Sequence, residues 1–197
     1  MNKRVGLFGG TFDPVHNGHI SIAQSFIESS LIDELWILLT PFPPHKDGKK
    51  HASYEHRKYM LEMAFIGINN IQILTIENEL PKPSYSFNTI KYVKETHPNI
   101  KFLYCMGEDN IANFDSWKHH RKILEEVELL VAHRPGVDHS EVKDYLLSRT
   151  TFADHTPISV SSSMIKEKID QIELLTTLLP KKVLDFIVSK DLYKSNA

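Results

Sequence analysis

The sequence predicts an α/β fold, a doubly wound parallel sheet with helices on both of its faces. Short apolar runs of strand length alternate along the chain with segments whose apolar residues recur at helical spacing, and short loops join them. A glycine-rich loop connects the first apolar run to the first helical segment. With 197 residues and 41% apolar content, the chain is large enough to bury one core, so we expect a single domain spanning residues 1–197.

The strands are recognised as apolar runs without a polar face. Residues 4–8 and 34–39 are apolar almost throughout, as strands covered on both faces are. The predicted strands are residues 4–8, 34–39, 71–76, 101–106, 127–132 and 151–153. Their alternation with helices is typical of a Rossmann-like sheet, in which a ligand binds beyond the carboxyl ends of the strands.

The segments between these runs carry helical signals. Ile20, Ala23 and Ile27 recur at helical spacing in the first helix, and Pro98 ends the third because it disfavours helix at the residue before it. Three serines, which are good N-cap residues, open a helix over residues 161–169, within a helical C-terminal part of about 158–197. Further helices are predicted at 54–66, around 87–97, 110–114, 117–125, 142–147 and 183–188, with a loop at 107–109.

Composition and charge narrow the function classes. The formal net charge of −2 excludes a global basic field of the kind that drives non-specific binding to nucleic acid or membranes. Cys105 is the lone cysteine, which excludes an internal disulfide framework. No N-terminal apolar run resembles a signal peptide or reaches the roughly 18 residues of a membrane span. We therefore expect a cytoplasmic protein with neither nucleic-acid nor membrane partners.

The loop from Gly9 to Ile20 carries the clearest chemical signal. The two glycines let the backbone approach a ligand closely, and the following helix presents unpaired N–H groups to an anion. His16 and His19 are three residues apart, near one face at the start of that helix, so both imidazoles can reach one phosphate group. Two donors aimed at a phosphoryl group stabilise the charge that builds in a transition state.

Two other interpretations of the histidine pair have to be weighed. An arbitrary pair at this spacing is more often a pair of surface or capping residues, but the flanking glycines favour a site. A zinc site lacks a Glu after His16 and an obvious Cys or His partner to complete it. We therefore predict a phosphate site and no metal held by protein ligands.

Residues 9–19, which read GGTFDPVHNGH, resemble the signature of the nucleotidyltransferase superfamily, whose H-x-G-H element is related to that of class I aminoacyl-tRNA synthetases. Within this superfamily, the chain is most similar to the bacterial nicotinate-nucleotide adenylyltransferases. Further motifs of that family match residues 43–46, 84–89, 107–109 with Trp117, 134–136 and 158–166, so the resemblance covers nearly the whole chain. The first motif is specific for the superfamily, and the later ones select the subfamily.

The resemblance implies adenylyl transfer in NAD biosynthesis. The phosphate of nicotinate mononucleotide attacks the α-phosphorus of ATP, pyrophosphate leaves, and deamido-NAD forms. His16 and His19 are then the catalytic pair, and Mg²⁺ accompanies ATP without a dedicated protein cage. The residues implied in ATP binding are Gly9, Gly10, Thr11, Phe12, Gly107, Asp109, Arg134, Ser162, Ser163, Met164 and Lys166.

The resemblance also assigns side chains to the mononucleotide. His45 and Lys46 are implied at its phosphate, in a loop stiffened by prolines. Ser86 stands where the family usually has Thr and is implied at the nicotinate carboxylate, while Trp117 is implied to stack on the pyridine ring. The acceptor is therefore expected to be the acid rather than the amide form.

Three more positions depart from the family pattern. Glu108 stands where a small residue is expected, Asn88 where Asp is common, and Lys166 where the serine-rich motif ends in Arg. Lysine keeps the positive charge of arginine but lacks its bidentate fork. We therefore expect this change to affect the affinity for ATP more than any other property. The two histidines are intact, so the reaction itself is less affected.

The sequence leaves several alternatives open. A related nucleotidyltransferase acting on nicotinamide mononucleotide, phosphopantetheine or an alcohol phosphate is disfavoured by Ser86 and Trp117, and a non-catalytic nucleotide-binding module is disfavoured by His16 and His19. The strength of the preference for acid over amide, the regulation and the order of the 43–50 loop without substrate stay undetermined. The oligomeric state is open too, and a homo-oligomer is compatible with the sequence.

Overall fold

The structure is a computed structural model that describes residues 2–41, 51–133 and 142–194. Within these residues, the strands are β1 (Arg4–Gly10), β2 (Glu34–Leu39), β3 (Ile71–Leu74), β4 (Lys101–Gly107), β5 (Glu128–His133) and β6 (Thr150–Asp154). They form one sheet in the order β3-β2-β1-β4-β5-β6, and every neighbouring pair is parallel. The predicted doubly wound parallel sheet is therefore confirmed.

Helices connect the strands and follow the last one. They are α1 (Asn17–Glu28), α2 (Tyr54–Phe65), α3 (Ser86–Thr96), α4 (Glu108–Ile111), α5 (His120–Glu126), α6 (Asp144–Leu147), α7 (Ser162–Glu167), α8 (Ile172–Leu178) and α9 (Lys181–Ser189). Single 3-10 turns lie at Ile76–Asn78 and Phe114–Ser116. Ser161 caps α7 through its hydroxyl, which accepts from the Met164 amide at 3.1 Å, as the serine-rich entry predicted.

The structure differs from the predicted elements by one to three residues at several bounds, including the end of β1 and the start of α5. The third strand ends at Leu74 rather than at residue 76, and Ile76 already belongs to a 3-10 turn. The predicted loop at 107–109 is wrong, because Gly107 is the last residue of β4 and α4 begins at Glu108. Helix α8 was missed, since two β-branched threonines weaken its local helical signal, and burial of Leu175 supplies the stability that propensity lacks.

Two apolar clusters cover the two faces of the sheet. One packs buried side chains of α1, α2, α7, α8 and α9 on the sheet, among them Phe26, Met60 and Ile165. The other packs α3, α4, α5 and α6 on the opposite face, through residues such as Ile90 and Ile123. The four inner strands β1, β2, β4 and β5 are thus buried on both faces, which explains why they carry few polar residues, whereas the edge strands β3 and β6 are partly exposed.

The strand order places the most favourable binding position at the centre of the sheet. From β1 the chain proceeds to β2 and β3 on one side and then returns to β4 on the other side of β1. In such a sheet, ligands bind outside the carboxyl ends of the strands, where the order reverses. That point lies between Gly10 at the end of β1 and Gly107 at the end of β4.

Candidate active site

His16 and His19 cap the first turn of α1 reciprocally. His16 is the N-cap residue, and its Nδ1 accepts from the His19 amide at 3.4 Å. In return, Nδ1 of His19 accepts from the His16 amide at 3.3 Å. The two rings stack with their centroids 3.7 Å apart. Each ring is therefore held in place by the backbone of the other residue.

This capping arrangement also sets where each imidazole carries its proton. A ring nitrogen that accepts from a backbone N–H has no hydrogen of its own, so a neutral ring must be protonated on Nε2. His16 is 6% exposed, and burial lowers its pKa to about 4, so this ring is neutral near pH 7. His16 accordingly has a donor on the ring edge away from the capping bond.

A histidine cleft of about 430 Å³ opens between α1, the end of β4 and the start of α7. Both histidine rings contribute to its walls. The predicted ATP-binding residues that line it are Gly9, Gly10, Phe12, Gly107, Asp109, Ser162 and Ser163. The sheet therefore brings residues from both ends of the sequence to one cleft.

An aromatic cleft of about 220 Å³ lies on the other side of the β1 glycines. Its lining includes both described residues that were predicted to bind the mononucleotide, Ser86 and Trp117, together with Tyr104. Thr11, which was predicted to bind ATP, lines this cleft and not the histidine cleft. The Trp117 ring meets the Tyr104 ring edge to face, with centroids 5.8 Å apart. Flat aromatic surface and hydroxyl groups are thus combined in one small cavity.

The start of α3 adds polar groups to the aromatic cleft. Ser86 is the first helical residue, so its amide is among those that have no partner inside the helix. Its hydroxyl lies 2.9 Å from the Tyr104 hydroxyl. Tyr104 is 4% exposed, and burial raises the pKa of its phenol well above the ordinary value, so Tyr104 stays neutral. A hydroxyl and helix N-terminal amides suit a carboxylate.

The two clefts meet at the β1 glycines. Gly9 and Gly10 line both of them. A Cβ on Gly9 would lie 2.9 Å from the Tyr104 hydroxyl, which is closer than side chains tolerate. The backbone therefore passes between the two cavities with no side chain in the way, so a group bound in one cleft can approach a group bound in the other.

The remaining predicted residues are placed elsewhere or lie outside the described residues. Met164 and Lys166 are the two described ATP-binding candidates that line neither cleft. Lys166 instead pairs with the buried Asp13 carboxylate. His45, Lys46 and Arg134 lie outside the described residues. Their contacts with ATP or mononucleotide stay predictions.

Glu108, the unexpected acidic residue, is buried at the edge of the histidine cleft. One of its carboxylate oxygens lies 3.0 Å from Nδ1 of His133, at the end of β5. Asp109, by contrast, is exposed and lines the same cleft. The side chain at position 108 therefore contacts the β5 end, while that at position 109 faces solvent at the cleft.

Sequence reasoning gave no site role to several residues that line the clefts, among them Tyr104, Ser84 and His155. Tyr104 lies in an apolar run that predicts only a buried strand, yet it lines the aromatic cleft. The buried Ser84 hydroxyl has no hydrogen-bond partner among the described residues, although it lines the aromatic cleft. His155 lines the histidine cleft with Nδ1 2.9 Å from the Ser25 hydroxyl. Its place directly after β6 was the available signal, because all strand ends share one edge.

Residues 2–41, 51–133 and 142–194 contain neither a metal-binding cluster nor a membrane-spanning helix. No group of three or more His, Cys, Asp or Glu side chains is arranged there to hold a metal ion. No helix in that part of the chain is both long and apolar enough to cross a membrane.

Comparison with family models identifies the class of protein. The model of the cytidylyltransferase-like family matches residues 7–168, which include the histidine motif and the serine-rich helix. The chain therefore belongs to the cytidylyltransferase-like family, a class of nucleotidyltransferases.

Curated relatives narrow this class. The nicotinate-nucleotide adenylyltransferase of Bacillus subtilis is 33% identical over 193 residues, covering 98% of this chain and 100% of the relative. The probable nicotinate-nucleotide adenylyltransferase of Christiangramia forsetii is 36% identical over 196 residues, with 98% and 100% coverage. Within its class, the chain belongs to the nicotinate-nucleotide adenylyltransferase family.

Solved structures agree on the fold. The Plasmodium falciparum nicotinic acid mononucleotide adenylyltransferase complexed with NaAD superposes with a TM-score of 0.78 at 21% identity, covering 97% of each chain. At this identity, the similarity extends to the fold.

Proposed function

We propose that this protein transfers the adenylyl group of ATP to nicotinate mononucleotide, giving deamido-NAD and pyrophosphate, as a step of NAD biosynthesis. The observation that carries the proposal is the reciprocal capping of His16 and His19 at a glycine-rich strand end. The names of the curated relatives support the same substrate pair.

ATP occupies the histidine cleft in this proposal. Its phosphates lie along the Gly9–Phe12 backbone and the N-terminus of α1, whose amides favour an anion. Asp109 accepts from the ribose hydroxyls, and Ser162 and Ser163 contact the phosphates from the start of α7. Arg134 and Met164 belong to the same set as predictions from the family motifs.

The mononucleotide occupies the aromatic cleft. The pyridine ring stacks on Trp117, and the nicotinate carboxylate accepts from the Ser86 hydroxyl and the first amides of α3. His45 and Lys46 hold its phosphate in this proposal, on the chain that follows β2. The acceptor phosphate then approaches the β1 glycines from the side opposite to ATP.

The chemical step exchanges one phosphorus–oxygen bond for another. An oxygen of the mononucleotide phosphate attacks the α-phosphorus of ATP, and the bond from that phosphorus to the bridging oxygen of the pyrophosphate breaks. The Nε2–H groups of His16 and His19 donate to the oxygens on which negative charge increases. The protein acts by positioning and charge stabilisation, and no covalent enzyme intermediate is required.

A divalent metal enters with the triphosphate, and we propose Mg²⁺. When bound, it neutralises phosphate charge. Mg²⁺ usually keeps several waters and needs only one or two carboxylates besides phosphate oxygens, which fits a site without a three-residue cage among the described residues. A cytoplasmic location is part of the same proposal.

The decisive experiment measures pyrophosphate release from ATP with nicotinate mononucleotide, nicotinamide mononucleotide and phosphopantetheine supplied in parallel. The expected result is turnover with nicotinate mononucleotide that exceeds turnover with the other two, and loss of that turnover in a His16→Ala, His19→Ala double variant. If no acceptor supports turnover above the double variant, the proposed activity is wrong, and ATP binding without turnover would identify a nucleotide-binding module. Faster turnover with either other acceptor would assign the protein to a different acceptor.

A further inference from the structure

Asp13, in the turn that follows β1, is almost completely buried and contacts distant segments of the chain. Its side chain is 1% exposed. Its carboxylate accepts from the Ala52 amide at 3.1 Å and from the Tyr193 hydroxyl at 2.7 Å. It also pairs with the Lys166 ammonium and lies 2.6 Å from Nδ1 of His51. One carboxylate thus joins the loop after β1 to the start of α2, to α7 and to the residues after α9.

Lys166 reaches Asp13 because of its position on α7. Ser162 lies four residues earlier on the same helix, hence on the same face, and its hydroxyl donates to the Pro14 carbonyl at 3.0 Å. The serine-rich helix therefore holds two consecutive residues of the turn, Asp13 through a charge and Pro14 through a hydrogen bond. The Lys166 ammonium also lies 5.0 Å from the centroid of the Tyr193 ring, within cation–π range.

The turn held in this way leads directly to the catalytic pair. Phe12 precedes Asp13, has a φ of 46° and is 2% exposed, so its backbone adopts a left-handed conformation that a bulky residue rarely takes without support. Its ring packs edge to face on the His19 ring with centroids 5.0 Å apart. A shift of Asp13 would therefore move Phe12 and, through it, the ring that stacks on His16.

Arg57 of α2 holds the same region from the other side. Its guanidinium donates to the carbonyl oxygens of Thr11 and Thr40 at 2.8 Å each, and to that of Pro41 at 3.2 Å. The side chain of Arg57 is buried, so these contacts are shielded from water. The backbone before Asp13 is thereby held by hydrogen bonds from Arg57, whose charge also interacts with the Asp13 carboxylate. The direct contacts of Asp13 hold the chain between Asp13 and α1.

Asp13 is negatively charged, as a buried partner of the Lys166 ammonium should be. Burial raises the pKa of its carboxyl, but hydrogen bonds from Lys166, Tyr193 and His51 outweigh burial, so the pKa lies below its ordinary value. Asp13 is therefore ionised near pH 7. A buried carboxylate of this kind requires its partners, since removing one leaves an uncompensated charge.

We infer that Asp13 is a positioning residue for adenylyl transfer, and that Lys166 acts on the reaction through Asp13. The inference rests on the proposed function, because the geometry that Asp13 maintains is that of the His16 and His19 rings. It differs from the role implied by family resemblance, in which position 166 contacts ATP phosphates directly. A basic residue that pairs with Asp13 needs charge rather than a bidentate fork, which accounts for a lysine at this position.

A double-mutant cycle over Asp13 and Lys166 tests the inference. The variants are Asp13→Asn, Lys166→Met, their combination and Lys166→Arg, with Lys168→Met as a control lysine just after the same helix. For each, kcat is measured with ATP and nicotinate mononucleotide, and the Kd of ATP is measured by calorimetry. We expect each single change to lower kcat by about 10- to 100-fold while the Kd of ATP stays within about threefold.

The combination separates an indirect from a direct role. If Lys166 acts through Asp13, the double variant loses about as much kcat as the worse single variant, because the second change removes a contact that is already broken. Lys166→Arg should retain at least about half of the activity, and Lys168→Met should match the wild type. If Lys166→Met raises the Kd of ATP about tenfold or more, and does so equally in the wild-type and the Asp13→Asn backgrounds, the inference is overturned in favour of direct phosphate contact.

A milder variant covers the case in which the buried substitutions fail to fold. Tyr193→Phe removes one hydroxyl that donates to Asp13 and leaves the ion pair. We expect kcat to fall about threefold or more with an unchanged Kd of ATP and a retained thermal unfolding transition. Unchanged kcat in this variant would overturn the inference.

Failure of the inference and failure of the proposed function give different results. Absence of turnover in the wild-type protein contradicts the proposed function. Turnover in the wild type that survives unchanged in Asp13→Asn and Tyr193→Phe contradicts only the positioning role.

Discussion

The histidine cleft and the aromatic cleft share the β1 glycines but are built in different ways. The two histidines of the histidine cleft belong to one short segment of the chain, because His16 and His19 cap the same helical turn and orient one another. The aromatic cleft is assembled from separate segments, with Ser86 on α3, Tyr104 on β4 and Trp117 after a 3-10 turn. Under the proposed function, the chemical step thus depends on a short motif, while acceptor choice depends on tertiary packing.

This difference has a kinetic consequence. Changes in the histidine cleft should lower kcat by a similar factor for every acceptor, because charge develops at the phosphates in each case. Changes in the aromatic cleft should raise the KM of one acceptor and leave ATP unaffected. Substitutions in each cleft can therefore break or sharpen the separation between chemistry and acceptor choice.

The largest effect is expected for His19→Ala. Loss of one donor to a developing negative charge lowers kcat by about 10²- to 10³-fold, with little change in the KM of nicotinate mononucleotide. His97→Ala is the matched control, because His97 follows α3, at the opposite edge of the sheet, and packs on Trp36. Steady-state kinetics with both substrates varied check the prediction, and a change confined to KM would contradict a catalytic role.

Burial of His16 should appear in the pH dependence of stability. Its folded-state pKa of about 4 lies below the ordinary value of 6.5, so the unfolded chain takes up the proton first. The stability contributed by neutral His16 is complete above about pH 6.5 and is lost as pH falls towards 4, by up to about 3 kcal/mol.

Urea unfolding of the wild type and of His16→Gln, between pH 7 and pH 4, measures this contribution. As the pH falls, the free energy of unfolding should decrease more steeply in the wild type than in the variant. Carboxylates titrate in both proteins and contribute equally to the two curves. Parallel slopes would show that the His16 ring is accessible to protons in the folded state, which would contradict a fixed neutral tautomer.

The histidine cleft is easier to predict from the sequence than the aromatic cleft, because its two histidines belong to one local motif. The sheet, its strand ends and the histidine loop follow from local patterns, since apolar runs mark strands and a three-residue spacing puts both rings at one helix start. The capping contacts between His16 and His19 add the ring orientation, which spacing alone leaves undefined. The position of a local motif is therefore predictable from the sequence, while the orientation of its rings needs the structure.

Contacts that depend on tertiary packing are harder to predict from the sequence. Tyr104 in a fully apolar run gives no sign that its hydroxyl meets Ser86, because the contact joins residues 18 positions apart. Lys166 and Asp13 are 153 positions apart, and only the packing of α7 on the first loop brings them together. Long-range polar pairs of this kind have no signature in local periodicity.

Trp117→Ala addresses the aromatic cleft. Loss of a stacking surface for the pyridine ring should raise the KM of nicotinate mononucleotide about tenfold and leave the KM of ATP within about twofold. Trp117→Phe, which keeps a smaller aromatic face, should recover most of the loss. Equal effects on both substrates would contradict the stacking role and would mean that Trp117 supports the packing of Phe114 and Tyr104.

The smallest effect is expected for Ser86→Ala, because the first amides of α3 remain in place. The KM of nicotinate mononucleotide should rise about fivefold, while that of the amide form should change little, since the amide lacks the negative charge that the hydroxyl and amides favour. Ser189→Ala, at the end of α9, serves as the control. Comparing both acceptors in the same assay gives the measurement. Equal losses for acid and amide would mean that the Ser86 hydroxyl serves to hold Tyr104 at 2.9 Å rather than to recognise the carboxylate, and discrimination would then rest on the helix amides alone.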